Sequence, residues 1–276
     1  MRKRLFVIAW MLLCLFFPLL PLKALELKPW FTPMFELQGR ATTLGQLYYS
    51  VDTKEGKIKY PAGSFFLDLE LFTTLLQQWS VEFEAIAAQT RHRSFGFDSL
   101  SLTGRYLWMD DVVGDPVSLT TGLTLYKVFK LSRHDLSIFH HGGIEAELHA
   151  AIGKEISCGA EWKTRAWCVA GLGVGDLGSP WIRADAHWEH RWCMLHQLRF
   201  SLLTLWGLGT RPLRSVRHFQ GYGPIQHHSI DAGLRYTYLL NHGIALSAEY
   251  AFRVYAHNCP SSANFILFIL DWPLTL

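Results

Sequence analysis

Strict alternation of apolar and polar side chains, repeated in block after block, most constrains what this chain of 276 residues can fold into. In one block Phe65, Leu67 and Leu69 alternate with Asp68 and Glu70. Because neighbouring side chains of a strand point to opposite faces, a period of two predicts a strand and not a helix. The block therefore predicts a strand with one apolar face and one charged face.

Blocks of this kind recur along the whole chain, separated by turn signals, and they predict an all-β fold of about twelve strands. We place the strands at residues 33–43, 64–74, 78–91, 97–109, 117–129, 136–152, 164–175, 180–192, 194–207, 228–240, 243–256 and 263–274.

The connections between these predicted strands differ in length according to the end at which they lie. Residues 75–77, 192–194 and 241–243 are short connections, whereas 44–63 and 208–227 are long. Residues 153–163 form a medium connection on the short side. Short turns at one end and long loops at the other are typical of outer-membrane barrels, where the short turns face the periplasm.

Four tryptophans give an independent indication of a membrane. Trp79 begins a strand and Trp108, Trp192 and Trp272 end strands, which puts all four at the periplasmic rim. Aromatic rings favour the interfaces of a bilayer, so this placement favours a membrane barrel over a soluble sandwich with core aromatics.

The N-terminus predicts export. Arg2, Lys3 and Arg4 precede an apolar run that ends at Leu22, and Ala24 offers a small residue for cleavage. We predict that residues 1–24 are a signal peptide and that 25–276 form a single barrel domain. An uncleaved membrane anchor is the alternative, since the run is nearly long enough to cross a bilayer.

The last strand carries a resemblance to a known architecture. Apolar residues occupy alternate positions up to the end of the chain, at Ile266, Phe268, Leu270, Trp272, Leu274 and Leu276. This resembles the closing strand of Gram-negative outer-membrane β-barrel proteins, which the insertion machinery reads. The resemblance implies a closed antiparallel up-and-down transmembrane barrel in the outer membrane. Its expected partners are the insertion machinery, outer-membrane lipid and lipopolysaccharide.

The polar parity of the predicted strands defines a lumen that carries both carboxylates and arginines. Charges this dense inside a barrel must be paired or hydrated. The lumen is therefore either an ionic lattice in a structural barrel or a narrow pore. The predicted pore-lining residues are Glu70, Glu82, Glu84, Arg105, Glu145, Glu147, Arg183, Asp185, Arg199, Asp231, Arg235, Glu249 and Arg253.

Two other functions remain as alternatives. His227 and Ser229 resemble the His-x-Ser element of outer-membrane phospholipase A and of lipid A deacylases, with Glu249 as a candidate orienting residue. A histidine two residues from a serine on a strand shares its face, so it could take the hydroxyl proton. Alternatively, the protein is a surface adhesin or binding protein that uses basic external loops, with Arg211, Arg214 and Arg217 in contact with the partner.

The cysteines and other candidate sites give weaker indications. Four cysteines follow the predicted signal peptide, and Cys158 and Cys193 fall in neighbouring periplasmic turns, where a disulfide is possible; four free thiols are the alternative. The doublet His140 and His141 lacks the further ligands that define a metal site. We expect no metal, no cofactor and no nucleic-acid partner, and the oligomeric state is left open.

Overall fold

The computed structural model describes residues 26–158, 161–217, 219–240 and 243–274. Twelve long strands and one strand of two residues, β12, make up the fold. The first seven are β1 (Gln38–Thr53), β2 (Gly56–Leu76), β3 (Trp79–Thr90), β4 (Arg93–Met109), β5 (Ser118–Val128), β6 (Ile144–Cys158) and β7 (Glu161–Gly175). The remaining six are β8 (Trp181–Trp192), β9 (His196–Leu208), β10 (Gln226–Leu239), β11 (Ala245–His257), β12 (Pro260–Ser261) and β13 (Asn264–Pro273).

The long strands form one closed antiparallel barrel. Each pairs with the next along the chain, and β13 returns to β1, where Gln38 pairs with Pro273 and Leu47 with Asn264. Closure removes both sheet edges, so no long strand is left with an unpaired row of backbone groups. The predicted fold class is confirmed. Among the described residues, no helix is long and apolar enough to cross a membrane.

The alternation of each strand separates an apolar exterior from a charged interior. Leu69 is 46% exposed on the outside, whereas the neighbouring Glu70 is 3% exposed inside. An exposed belt of leucines, phenylalanines and tryptophans around a charged lumen is the reverse of a soluble barrel, and it suits a lipid environment.

One long loop predicted from the sequence, at residues 44–63, is a strand hairpin in the structure. β1 and β2 continue past the other strands and turn within two residues, at Gly56 paired with Thr53. The predicted loop is therefore wrong. Pro61 lies at a bulge where the register shifts between Tyr48 and Ser50, and a bulge accommodates proline without breaking the ladder.

The boundaries around β6 also differ from the prediction. Residues 136–143 belong to a loop, and β6 extends to Cys158, which pairs with Glu161 of β7. The predicted medium connection at 153–163 is therefore wrong, because most of these residues belong to the two strands. The loop leaves the strand geometry because the Asp135 carboxylate accepts from the backbone N–H of Ser137, which stabilises a turn there.

The four tryptophans lie at the end of the barrel that carries the short turns; following the prediction, this end is called the periplasmic end and the opposite one the extracellular end. Trp79, Trp108 and Trp192 are exposed where strands meet the short turns, and Trp272 lies at the end of β13. In the turn between β8 and β9, Cys193 and Met194 both adopt positive φ angles without any glycine. The turn therefore lacks the Asn-Gly signal that usually marks such a hairpin.

Three segments fold into the barrel from its two ends. The N-terminal segment, residues 26–37, enters the periplasmic mouth. Loop A, residues 129–143, and loop B, residues 209–225, fold in from the extracellular end. Leu136 of loop A and Leu213 and Tyr222 of loop B pack with Leu44 and Phe265 of the wall in an apolar cluster. The extracellular mouth is filled by protein.

Candidate functional site in the barrel lumen

The periplasmic half of the lumen is organised around one carboxylate of the N-terminal segment. Glu26 forms ion pairs with Arg40 of β1 at 3.1 Å, with Arg235 of β10 at 3.0 Å, and with Arg199 of β9. Its side chain is 6% exposed. A buried carboxylate held by three arginines is fully compensated, so this contact binds the segment to the wall without leaving an unpaired charge.

Apolar contacts and a glycine fix the rest of the N-terminal segment. Leu27 packs on Ala151, Trp167 and Val169, and Trp30 meets Trp167 edge-on at 5.8 Å. At Gly153 of β6 an added Cβ would lie 2.8 Å from the ring of Pro29 and 2.9 Å from Trp30. The segment therefore approaches the wall at a place that tolerates only glycine.

Asp111, in the connection between β4 and β5, anchors the segment from the periplasmic side. Its carboxylate accepts from the Trp30 indole N–H at 2.8 Å and from the backbone N–H of Glu155 at 2.6 Å. Burial alone would raise the pKa of Asp111, but the hydrogen bonds from Ser118, Glu155 and Trp30 outweigh it and lower the pKa.

A chamber of about 140 Å³ lies inside the barrel, between the wall and loop A. Five carboxylates and two arginines line it, together with Ser137, Thr204 and Ser229 and several apolar side chains; the charged residues are Glu84, Glu145, Glu147, Asp185, Asp231, Arg183 and Arg253. Both arginines are paired. Arg253 donates to both oxygens of Asp231, at 2.7 and 2.9 Å, and Arg183 lies 2.7 Å from Glu147. The chamber is consequently negative.

A stack of rings closes the chamber toward the extracellular side. Trp181 of β8 stacks on His141 at 4.3 Å, His141 on His227 of β10 at 5.1 Å, and His227 on Phe139 at 5.3 Å. The stack joins loop A to two strands. Gly173 makes room for it, because an added Cβ there would lie 2.0 Å from the Trp181 ring.

The structure places all thirteen predicted pore-lining side chains inside the barrel. Most are buried, while Arg183 and Asp185 are 15% and 10% exposed toward the chamber. Some of these side chains contact the N-terminal segment and others line the chamber. Arg199 and Arg235 bind the N-terminal segment, with Glu189 and Glu249 as their second partners, and Arg105 donates to the backbone carbonyl of Lys28.

The three residues of the hydrolase hypothesis are not brought together. Glu249 forms an ion pair with Arg235 at 2.5 Å. Arg235 is six residues after Ser229 on β10, and the residue of β11 opposite Ser229 is Ala256. His227 is held in the ring stack with its Nδ1 at 3.1 Å from the carbonyl of Ile225. Among the described contacts there is no hydrogen bond between His227 and Ser229. Both side chains are buried, away from lipid, so the arrangement lacks the orienting acid and the substrate access that catalysis needs.

The basic loop residues and most of the cysteines are exposed. Arg211, Arg214 and Arg217 are exposed in loop B. The four cysteines among the described residues are free thiols. Cys158 and Cys193 lie exposed at the periplasmic end, on β6 and in the turn after β8, with β7 between their strands, and no disulfide joins them. Cys259, which the topology places in the last external loop, is buried.

Four residues of the lumen were not predicted as site residues, and three of them precede the first strand. Glu26, Lys28 and Trp30 precede the first strand, and their charged and aromatic alternation was the available signal. Arg40 on β1 was also missed, although it shares the inward parity. The predicted signal peptide, residues 1–24, and Leu276 lie outside the described residues.

Known structures share this architecture. No family model matches the chain, and no curated protein matches it by sequence. An outer-membrane channel of Pseudomonas putida F1, described as COG4313, superposes with a TM-score of 0.67 at 11% identity, over 92% of this chain and 100% of the other. The NanC porin and the KdgM porin give TM-scores of 0.54 and 0.55 at 11% and 7% identity, over 86% of this chain and 100% and 99% of theirs.

The chain has the fold of an outer-membrane β-barrel. For such a barrel the exposed leucines and phenylalanines face lipid, and exposed tryptophans are expected at an interface of the bilayer. The level of identity carries the fold alone, so the function of this barrel has to be argued from its own lumen.

Proposed function

We propose that this outer-membrane barrel is a narrow, cation-preferring pore whose described state is closed at both ends. The observation that carries the proposal is the chamber inside the barrel, in which five carboxylates face two arginines that are already ion-paired. In a purely structural lattice the buried charges would be matched by charges of opposite sign. An excess of carboxylates around an enclosed space favours entry of cations and repels anions.

The elements that close the pore are held by contacts that can break reversibly. Ion pairs hold the N-terminal segment at the periplasmic end, and a ring stack and apolar packing hold loop A at the other. Neither is a strand of the wall, so both can move while the barrel stays closed by its backbone pairing. The similar structures described as a channel and porins are consistent with this reading.

The test is ion selectivity of the refolded protein in planar bilayers under a gradient of KCl. We expect a reversal potential that indicates K⁺ over Cl⁻. Asp185→Asn removes one chamber carboxylate that is partly exposed to the chamber, and we expect it to move the reversal potential toward zero. Glu161→Gln, at the periplasmic turn, is the matched control and should not change selectivity. A preference for Cl⁻ would contradict the proposal.

Location and export are part of the same proposal. We propose that residues 1–24 direct export and are removed, and that the barrel sits among outer-membrane lipid and lipopolysaccharide after assembly by the insertion machinery. The exposed arginines of loop B face the side where lipopolysaccharide phosphates lie, which supports contact with that lipid.

A further inference from the structure

Three carboxylates meet on the wall formed by β2 and β3, directly below the chamber. Asp68 and Glu70 occupy successive inward positions of β2, and Glu70 pairs in register with Glu84 of β3. One ligand oxygen from each lies within 4.8 Å of the other two. Glu84 also lines the chamber, so the cluster is continuous with the proposed path of ions.

The cluster is short of positive charge. Among the described residues its one ion-pair partner is Arg40, 3.2 Å from Glu70, and Arg40 is shared with Glu26 at 3.1 Å and Asp271 at 2.6 Å. Asp68 and Glu84 have no ion pair within the described part of the chain. Three close carboxylates with a fraction of one arginine repel each other strongly in a buried site.

Two oxygens of the cluster are buried without a hydrogen-bond partner. They are Asp68 Oδ1 and Glu84 Oε1, and the Glu84 side chain is 2% exposed. The other oxygen of Glu84 accepts from the Ser101 hydroxyl at 2.7 Å, which orients the carboxylate and leaves Oε1 available. A buried carboxylate oxygen without a partner is costly, so its environment points to a ligand that the protein itself does not supply.

The number and kind of these ligands favour one class of cation. Ca²⁺ binds oxygen at about 2.3–2.6 Å in flexible geometry, so two of its ligand oxygens stand at most about 5 Å apart. Mg²⁺ demands a strict octahedron and gives up its water reluctantly, so it usually binds through only one or two carboxylates. Three protein carboxylates whose oxygens lie within 4.8 Å of one another therefore suit Ca²⁺ better than Mg²⁺.

From this geometry we infer that Asp68, Glu70 and Glu84 bind a calcium ion in the lumen wall, at the periplasmic side of the chamber. Each residue supplies carboxylate oxygen, and water from the chamber completes the coordination. The ion offsets the repulsion among the three carboxylates and satisfies both buried oxygens. The site rests on the proposed function for its physiological role but not for its existence, because it can be measured on the closed barrel.

The test is isothermal titration of CaCl₂ into the refolded full chain in detergent, at neutral pH and with excess NaCl. We expect one calcium site per chain that excess MgCl₂ does not saturate. Asp68→Asn and Glu84→Gln each keep the shape and remove one charge, and we expect each to weaken the affinity by about tenfold or more, since affinity follows the number of charged ligands. Glu161→Gln, the same substitution outside the cluster, should bind calcium as the wild type does.

Heat-modifiable migration on a gel confirms that each variant is folded before titration. If Asp68→Asn fails to fold, Glu84→Gln decides alone, and protection of the wild type by calcium against thermal unfolding is the second measurement. Absence of calcium binding in folded wild type, or equal affinity in the two cluster variants and the wild type, would overturn the site. In that case the carboxylates share protons.

Calcium block of the current separates this inference from the pore. If the barrel conducts K⁺, calcium on the periplasmic side should reduce the current in the wild type and less so in Glu84→Gln. Calcium binding by a barrel that never conducts would support the site and contradict the pore. Conductance without calcium binding would contradict the site and leave the pore standing.

Discussion

At the scale of single residues, Glu26 holds the N-terminal segment against the wall; its contact with three arginines is called the latch below. It joins the N-terminal segment to β1, β9 and β10 through three arginines, two of which keep Glu189 and Glu249 as partners when Glu26 is lost. Removing the charge of Glu26 therefore releases the N-terminal segment, while the arginines of the wall keep carboxylate partners. This distinguishes Glu26 from Asp231, whose loss would leave the buried Arg253 without its carboxylate.

We predict that Glu26→Gln frees the N-terminal segment in a folded barrel. Losing the charged part of these contacts should weaken docking by about 1–3 kcal/mol. Limited proteolysis measures it: the segment should be cut faster than in the wild type, while the barrel core resists. Glu36→Gln, in the same segment but outside the three-arginine contact, is the control. Equal cutting of Glu26→Gln and wild type would count against the latch.

The four thiols should differ sharply in reactivity. Burial raises the pKa of the Cys259 thiol to about 11, so it stays protonated near neutral pH, and it is enclosed beside the carbonyl of His228. Thiolate is the reactive form. A maleimide should therefore label Cys158 and Cys193 in the refolded protein and leave Cys259 unlabelled until the protein unfolds. Mass spectrometry of the peptides checks this, and rapid labelling of Cys259 would show that the extracellular end is more open than described.

At the scale of elements, the docking surface of the N-terminal segment depends on the missing side chain at Gly153. Gly153→Val would place carbon where Pro29, Trp30 and the Trp167 side chain already lie, within 3 Å of all three. β-branched residues suit a strand, so the barrel should still form. We predict a folded, heat-modifiable barrel with a released segment, seen as faster proteolysis and as higher conductance. Unchanged proteolysis would mean that the segment is held elsewhere.

The elements also show what the sequence was able to predict and what it was not. Parity predicted the inward charges of β2, β3 and β6, because a period of two fixes the face of every residue once a strand is placed. Parity did not predict the hairpin of β1 and β2, where the register shifts at a bulge that contains Pro61. Parity did not predict the position of the N-terminal segment either. Its partners Arg40, Arg199 and Arg235 lie on three different strands, whereas alternation describes one strand at a time.

The site was predictable in part for the same reason. The list of inward charges was obtainable from parity, but their pairing was not, since it depends on which strands face each other across the lumen. His227 and Ser229 illustrate the difference: their spacing puts them on one face, yet the rings of His141 and Phe139 that hold His227 come from a loop whose inward course no local pattern indicates.

At the scale of the whole molecule, the barrel is a continuous hydrogen-bonded wall that encloses the N-terminal segment, loop A and loop B. The backbone pairing of twelve long strands closes without a break from β1 to β13, while the contents are held by ion pairs, ring contacts and apolar packing. We predict that the mature protein fractionates with the outer membrane and migrates differently on a gel before and after boiling. A protein that was soluble without detergent and insensitive to boiling would contradict the membrane barrel.

The most direct test of the pore is single-channel recording of the full chain against a variant that lacks residues 26–31. Deletion removes the latch and the rings that fill the periplasmic mouth but touches no strand of the wall. We predict rare, brief openings for the full chain and long-lived openings that prefer K⁺ for the deletion variant. A deletion variant that refolds, shows heat-modifiable migration and stays silent would contradict the pore and leave a structural barrel.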